Sequence, residues 1–436
     1  MKLQGKKREI IAWSMYDFAN QPFTTLIVTF IFGKYFVEVL AENEIVGTSL
    51  WSLGITITAL FVSSLSPILG AIADSGGYRK VFLIISTYIC ILATIGLYFI
   101  EPGQSFLIWN HNIHVSIVAL AVFIIANIGF EFGTVFCNSY LLDLSNNSNI
   151  GKISGYAWGL GFVGGLISLG LSLGLFDLSN NINDVRFIHL LVAIWFAFFS
   201  LPTFLFLKDR KPQRGFRKHI KSSLSSLIST FNNISQHKSI VRFLIARLFY
   251  NDALVTIFAF GGIYAGHLGF SYIEVLILGV VLNVAACIGS FLFGYLEDKI
   301  GVFRMLNITL WVLFFSVLLA FIAPFIDCGN LICLDDHISF FINPKTLFWT
   351  AGVFIGLMQG PNQSGSRSLM ARLSPEDKKN EFFGFYAFSG KATSFIGPLF
   401  FGILTAVFGT QQAGLFIVVL FFLIGIICFQ SLKYKI

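Results

Sequence analysis

Twelve apolar runs, each close to the length that crosses a bilayer, constrain this chain more than any other feature. They cover residues 11–37, 50–73, 81–100, 115–142, 153–176, 187–207, 242–266, 273–297, 303–325, 346–372, 381–408 and 412–432. A bilayer core of roughly 30 Å needs about 20 apolar residues in a helix. A helix also satisfies its own backbone in lipid. Of 436 residues, 56% are hydrophobic and 12% charged, whereas soluble domains carry roughly 25% charged residues. A water-soluble fold would lack the polar residues to cover itself. The net charge of +7 does not point to nucleic acid, because the basic residues sit in short links between apolar runs. No cleavable signal peptide is expected, since the apolar run after Arg8 continues past the length of a signal segment.

The links sort by charge. Lys2, Lys6, Lys7 and Arg8 precede the first run, and the link after the sixth carries Lys208, Arg210, Lys211, Arg214, Arg217, Lys218, Lys221 and Lys238. With twelve spans, Arg79, Lys80, Lys152, Lys299, Arg304, Arg372, Lys378 and Lys379 fall on that same side. The opposite links offer Arg186 and Lys345, with Glu42, Glu44, Asp184, Asp335 and Asp336. The positive-inside rule then puts both termini in the cytoplasm, and the inner membrane of a bacterium is the expected location. The expected fold is an all-α membrane protein, twelve transmembrane helices in two pseudo-symmetric six-helix bundles. Residues 1–207 form the first bundle, 208–241 a basic cytoplasmic linker and 242–436 the second bundle. Ser222–Ile234 reads either as a short surface helix or as part of a solvated tether.

A duplicated loop supports the two halves. Gly70, Asp74, Gly77 and Arg79 recur half a chain later as Gly294, Asp298, Gly301 and Arg304, each set between two apolar runs. Charges inside the runs fall in every third one: Asp17 in the first, Glu131 in the fourth, Arg247 and Asp252 in the seventh, Arg367 in the tenth, with Lys391 added in the eleventh. Charges at membrane depth face a protein interior or a wet cavity, so these runs are expected to line one. Polar stripes agree at helical spacing: Asp17, Asn20, Gln21 and Thr24; Asn127, Glu131, Thr134 and Asn138; Gln359, Asn362, Gln363 and Ser366. Asn251 adds to the seventh run. The structural alternative is that these residues tie helices together. Pro22, Pro361 and Pro398 each remove a helix hydrogen bond and permit a kink. No G-x-x-x-x-G-K-[ST] loop occurs, which argues against an ATP-driven pump. The seven histidines are scattered, so no metal or cofactor is expected.

Several stretches carry a resemblance. The duplicated loop resembles the signature of the major facilitator superfamily. Trp13-Ser-Met-Tyr-Asp-Phe-Ala-Asn20, Phe249-Tyr-Asn-Asp252, Thr256-Ile-Phe-Ala-Phe-Gly-Gly262, Ser366-Arg-Ser368 and the long run Glu381 to Pro398 together resemble its vacuole-effluxer-like family. Gln21-Pro22 and Pro361-Asn362 depart from the family pattern inside two of the stripes. The resemblance implies two bundles opening alternately to each side, and export of a small solute such as an amino acid. Acids and bases buried together suit that solute, whose amine meets Asp17, Glu131 or Asp252 and whose carboxylate meets Arg247, Arg367 or Lys391. Glu131 and Lys391 both fall near the middle of their runs, where each needs a partner or a wet cavity. Asp74 is expected to accept hydrogen bonds from Arg79 and from a helix N-terminus, and the resemblance implies that this locks the outward-facing state. Cys328 and Cys333 share an outer link and are candidates for a disulfide. The partners expected are the bilayer and a small solute, with the chain a monomer and proton coupling left open. The rivals are a proton-coupled drug or sugar exporter, or else a channel or sensor. No soluble output domain for a sensor is evident, and a channel does not need two matching gate loops.

Overall fold

A computed structural model describes residues 3–76, 78–108, 111–144, 150–177, 184–208, 237–326, 343–373, 386, 389–390 and 393–432. The long helices are α1 (Leu3–Pro22), α2 (Glu44–Gly76), α3 (Arg79–Tyr98), α4 (Val115–Ser139), α5 (Ile150–Leu175) and α6 (Asp184–Phe206). They continue with α7 (Lys238–His267), α8 (Tyr272–Ile300), α9 (Val302–Ile322), α10 (Pro344–Leu373), α11 (Ile396–Phe408) and α12 (Gln411–Gln430). Each falls on one of the twelve apolar runs. Ten of the described helices are long and apolar enough to cross a membrane. Of the other two, α10 carries the polar stripe, and α11 is the described part of the eleventh run. The outward faces confirm the solvent. Leu92, Ile194, Leu205 and Val407 are 64–70% exposed, a surface that lipid covers and water would penalise.

The proline in the first span does more than kink it. Pro22 has no N–H to give the carbonyl four residues back, Phe18 O. The Trp195 indole on α6 donates to that carbonyl at 3.0 Å. Beyond Pro22 the span continues in π-helical turns at Phe23–Phe30 and again at Phe36–Leu40, whose bonds skip one residue more than those of an α-helix. Pro361 sits inside α10 without breaking it. Pro398 is the third residue of α11, where a missing N–H costs nothing, so no kink follows from it.

Two links differ from the sequence expectation. Ser105–Ile108 and His111–His114 pair as an antiparallel hairpin between α3 and α4, its strands separated by two residues, the usual length for a tight hairpin. The first gate loop is largely helix, since α2 runs on through Gly76. Its counterpart is reduced to a single residue between α8 and α9, Gly301, at φ 85°. That conformation favours glycine.

The described helices group into two units. The first comprises Met1–Ile27, Gly54–Phe176 and Asn183–Lys238; the second comprises Val28–Leu53, Asp177–Ile182 and Ser239–Ile436. In the first, α3 packs on α4 and α6; in the second, α9 packs on α10 and α12. The same pairing recurs six helices on, as two related bundles require.

The second unit also holds the hairpin Val28–Leu53 from the early chain. Trp51, fully buried, donates its indole N–H to Ala259 O at 2.9 Å. Ser52 donates to Pro398 O, and Gln411 Nε2 donates to Thr48 Oγ1 at 3.2 Å. Gly262 and Gly266, one turn apart on α7, let the first span lie directly against it. A Cβ at Gly262 would overlap Thr29 O, and one at Gly266 would overlap the Glu38 carboxylate.

Candidate functional site

In the second unit, α7 presents three polar side chains within two turns to the segment that leads into α11. Arg247 is buried; its Nη1 donates to Tyr386 O at 2.6 Å and to Ser389 Oγ at 2.9 Å. The guanidinium also lies 3.7 Å from the centre of the Tyr386 ring, a stacking that an Arg plane makes well. One turn on, Asn251 Nδ2 donates to Gly390 O at 3.1 Å. Asp252 Oδ2 accepts from the N–H of Gly397, the second residue of α11, at 3.0 Å. A carboxylate there answers an orphan donor and the positive end of the helix dipole. Its other oxygen, Oδ1, is buried and has no hydrogen-bond partner among the described residues.

The eleventh span is therefore tied to α7 on both sides of the turn Thr393–Phe395, where its backbone departs from helix ahead of Ile396. Non-helical backbone at membrane depth occurs where it is buried in protein or lines a cavity. The sequence placed Asn251 and Asp252 in the solute set and offered Arg247 as one of the buried bases suited to the solute; in the structure its Nη1 is bonded to Tyr386 O and Ser389 Oγ.

The tenth span divides. Gln359 and Asn362 are buried, and Gln363 and Arg367 are half-buried. Asn362 Nδ2 reaches Thr309 Oγ1 on α9 at 3.3 Å. Ser366 Oγ bonds Tyr250 OH on α7 at 2.8 Å. These two members of the stripe join helices.

In the first unit, Asn20 is buried and Asp17 and Gln21 are half-buried on α1. The face carrying Asp17 and Gln21 lies under α5 at Gly161, where a Cβ would sit 3.4 Å from Asp17 O and 3.5 Å from Gln21 Oε1. An adjoining face of α1 is anchored by Trp13 Nε1 on Cys137 O, 2.8 Å, and by Tyr16 OH with Thr87 Oγ1, 2.8 Å. On α4 the stripe runs from buried Asn127 through half-buried Glu131 to exposed Asn138. Phe130, beside it, stacks on Phe23 at 5.1 Å. Lys391, Gly77, Cys328 and Cys333 lie outside the described residues.

Of the gate residues, Arg79 has partners that the structure defines. Arg79 opens α3 and is buried; its Nη2 donates to Asp143 Oδ2 at 2.8 Å and its Nη1 to Ser139 O at 3.2 Å. This carboxylate was not named from sequence; it follows α4 directly. At the second copy, Glu297, one residue before Asp298, pairs with Arg372 at the end of α10, 3.5 Å away. Arg304 is exposed. Gly70 and Asp74 lie on the last turns of α2, and Gly294 and Asp298 on those of α8.

Sequence reasoning also missed Lys34. It counted Asp17 as the charge of the first span, yet Lys34 lies in the same continuous span and is 4% exposed. Its ammonium pairs with Glu38 one turn on and lies 4.6 Å from the centre of the Tyr272 ring. The pattern Lys-x-x-x-Glu at the end of an apolar run was the legible signal.

Residues 33–435 match the family described as "Vacuole effluxer Atg22 like". YxiO of Bacillus subtilis, described as an uncharacterized MFS-type transporter, is 25% identical over 95% of this chain and 92% of that protein. Autophagy-related protein 22 of Cryptococcus neoformans is 25% identical over 62% of this chain and 48% of its own length, so the chain aligns with about half of that relative. Among solved structures, the nucleoside transporter NupG superposes with a TM-score of 0.68 at 12% identity, over 98% of this chain and 100% of that one. A D-xylose-proton symporter superposes with a TM-score of 0.69 at 12% identity, over 98% of each chain.

Proposed function

Because the chain belongs to the Atg22-like vacuole effluxer family and has the fold of a major facilitator transporter, we propose that it exports an amino acid by alternating access. The observation that carries this reading is the Asp252 carboxylate. One oxygen holds the start of α11, and the other is buried without a partner among the described residues. A buried acceptor of that kind takes a donor such as an ammonium group. Glu131, half-buried on α4, is a second acceptor for an amine or for a coupling proton. Arg367 and Lys391 are the cations offered to the carboxylate of the solute. The family description favours export, and the basic links favour a membrane position with both termini in the cytoplasm.

Proteoliposomes holding the purified protein and a panel of radiolabelled amino acids test this directly. The expected result is counterflow of at least one amino acid. Glu131→Gln, which keeps shape and loses charge, is expected to abolish that flux or its pH dependence while leaving the protein monodisperse. Flux of a sugar or drug panel with none of any amino acid would replace the solute class. Parental transport by Glu131→Gln between about pH 5 and about pH 8 would remove Glu131 from the mechanism.

A further inference from the structure

At one end of the first unit, α1, α3 and α6 meet in a cluster of bases that the proposed solute site does not use. Thr203 Oγ1 on α6 donates to Ala12 O of α1 at 2.6 Å. Lys80, the second residue of α3, donates from Nζ to Leu207 O, just past α6, at 3.0 Å. Arg8 of α1 is exposed, and its guanidinium lies 3.9 Å from the centre of the Phe206 ring. Lys208, two residues beyond that ring, is exposed as well. Arg8, Lys80 and Lys208 are thus gathered around the last turn of α6. A guanidinium meets a ring with its face, while its N–H donors lie in its plane. Of the acids nearby, Asp143 is bonded to Arg79 at 2.8 Å. Glu9 is half-buried and follows Arg8 by one residue, about 100° round the helix.

An apolar groove leads away from these bases. The helices α3 and α6 pack side by side, and Tyr88 stacks on Phe204 at 6.3 Å. On α3 the exposed residues Val81, Ile85, Tyr88 and Leu92 follow at i, i+4, i+7 and i+11, one ridge of a helix. On α6 the exposed residues Ile194, Phe198, Leu201 and Leu205 repeat that spacing. Neighbouring ridges of this kind leave a groove between them. From Val81 to Leu92 the first ridge runs roughly 16 Å, at about 1.5 Å per residue. Half of a hydrocarbon core is about 15 Å. The groove is therefore one leaflet long, and its basic end lies where a headgroup sits.

We propose that this groove binds one anionic phospholipid, its phosphate held by Arg8 and Lys208 and an acyl chain laid between α3 and α6. The in-plane donors of Arg8 suit two phosphate oxygens at once. Lys80 adds a third positive charge to the same end. A headgroup with an ammonium of its own would place that cation among the bases, whereas phosphatidylglycerol brings one negative charge and no cation. Each base near the membrane surface favours an anionic lipid by about fivefold. Free phosphate meets the same bases but buries no chain, so it gains nothing from the groove. A lipid seated here touches α1 through Arg8, α3 through its ridge and α6 through Lys208. It therefore ties the three helices together and stabilises the folded unit by mass action. The site concerns the membrane around the protein and is independent of the solute.

Native mass spectrometry of the full chain, with phosphatidylglycerol or phosphatidylcholine of the same acyl chains, reads the first bound lipid. Phosphatidylglycerol is expected to bind at least about tenfold more tightly and to raise the melting temperature, while inorganic phosphate at equal concentration leaves it unchanged. Arg8→Gln combined with Lys208→Gln is expected to reduce the preference to about twofold or less. Lys238→Gln removes an exposed base at the start of α7 and is expected to keep the preference. Equal affinity of the parent protein for the two lipids overturns the proposal. So does a folded double variant with the parental preference, or a Lys238→Gln variant that loses as much as the double variant. Equal stabilisation by inorganic phosphate would make the bases a free-anion site and end the lipid assignment. If the double variant does not fold, phosphatidylglycerol with a photoactivatable tail decides on the parent protein. Crosslinks are expected on α3 and α6, and label spread evenly over the outward faces of all the helices overturns the site.

Discussion

Arg247 and Asn362 are both polar residues buried in helices of one unit, yet their surroundings assign them different work. Arg247 spends its donors on Tyr386 O and Ser389 Oγ ahead of α11, so its loss removes two buried hydrogen bonds and leaves those two groups only the bond from Ser389 Oγ to Tyr386 O. Arg247→Met is expected to cost about 2 kcal/mol, the upper range for polar contacts between membrane helices. Chemical denaturation in detergent reads this, and Arg247→Lys should recover part of it. Asn362 instead joins α10 to α9 through Thr309. A double-mutant cycle with Asn362→Ala and Thr309→Ala is expected to give a coupling near 0.6 kcal/mol with solute affinity unchanged. Lost affinity at full stability would put Asn362 on the solute path. The sequence made both residues visible as polar groups in apolar runs. It could not separate them, because a helical stripe records which face a residue occupies and not which neighbour meets that face.

The helices themselves were legible almost to their ends. Runs chosen at 115–142 and 303–325 appear as Val115–Ser139 and Val302–Ile322, because hydrophobic length is what a bilayer selects. The exceptions have local causes. The span 50–73 was drawn too short, since α2 starts at Glu44 and ends at Gly76; helical bonding continues into polar sequence where apolar periodicity stops. The consequence of a proline was also out of reach, because it depends on what another helix supplies. Phe18 O is answered by Trp195. Leu357 O, four residues before Pro361, is met by the bare backbone of Gly289 on α8, where a Cβ would overlap it. Gly289→Ala is accordingly expected to separate α8 from α10 and cost about 1–3 kcal/mol. At Gly174 a Cβ meets nothing within 4 Å, so Gly174→Ala should leave the melting curve unchanged. Equal effects at the two positions would mean that helix propensity, rather than the close crossing, governs Gly289.

At the scale of the molecule, a repeat of six helices was readable from the duplicated loop, and the pairing of α3 with α4 and α6, then α9 with α10 and α12, bears out the two bundles. What the repeat could not reveal is that one hairpin of the early chain packs among the late helices. Such a contact depends on Gly262, Gly266 and Trp51 meeting across the fold, and no local pattern encodes it. The charge asymmetry of the links predicts that single cysteines at Lys7 and Lys208 react with membrane-impermeant maleimide only after cells are opened, whereas one at Glu42 reacts in intact cells. The reverse pattern would invert the topology.

The placement of that hairpin also sets a timetable for making the protein. Trp51 waits for a partner 208 residues further on and Ser52 for one 346 residues further on. At a synthesis rate of about 5–20 residues per second, Ser52 spends roughly 20–70 s in the membrane before Pro398 has been made. Until Ala259 is made the indole N–H lacks its acceptor, and until Pro398 is made the hydroxyl lacks its own. The nascent chain is therefore most open to quality-control proteolysis between completion of its second helix and emergence of its eleventh.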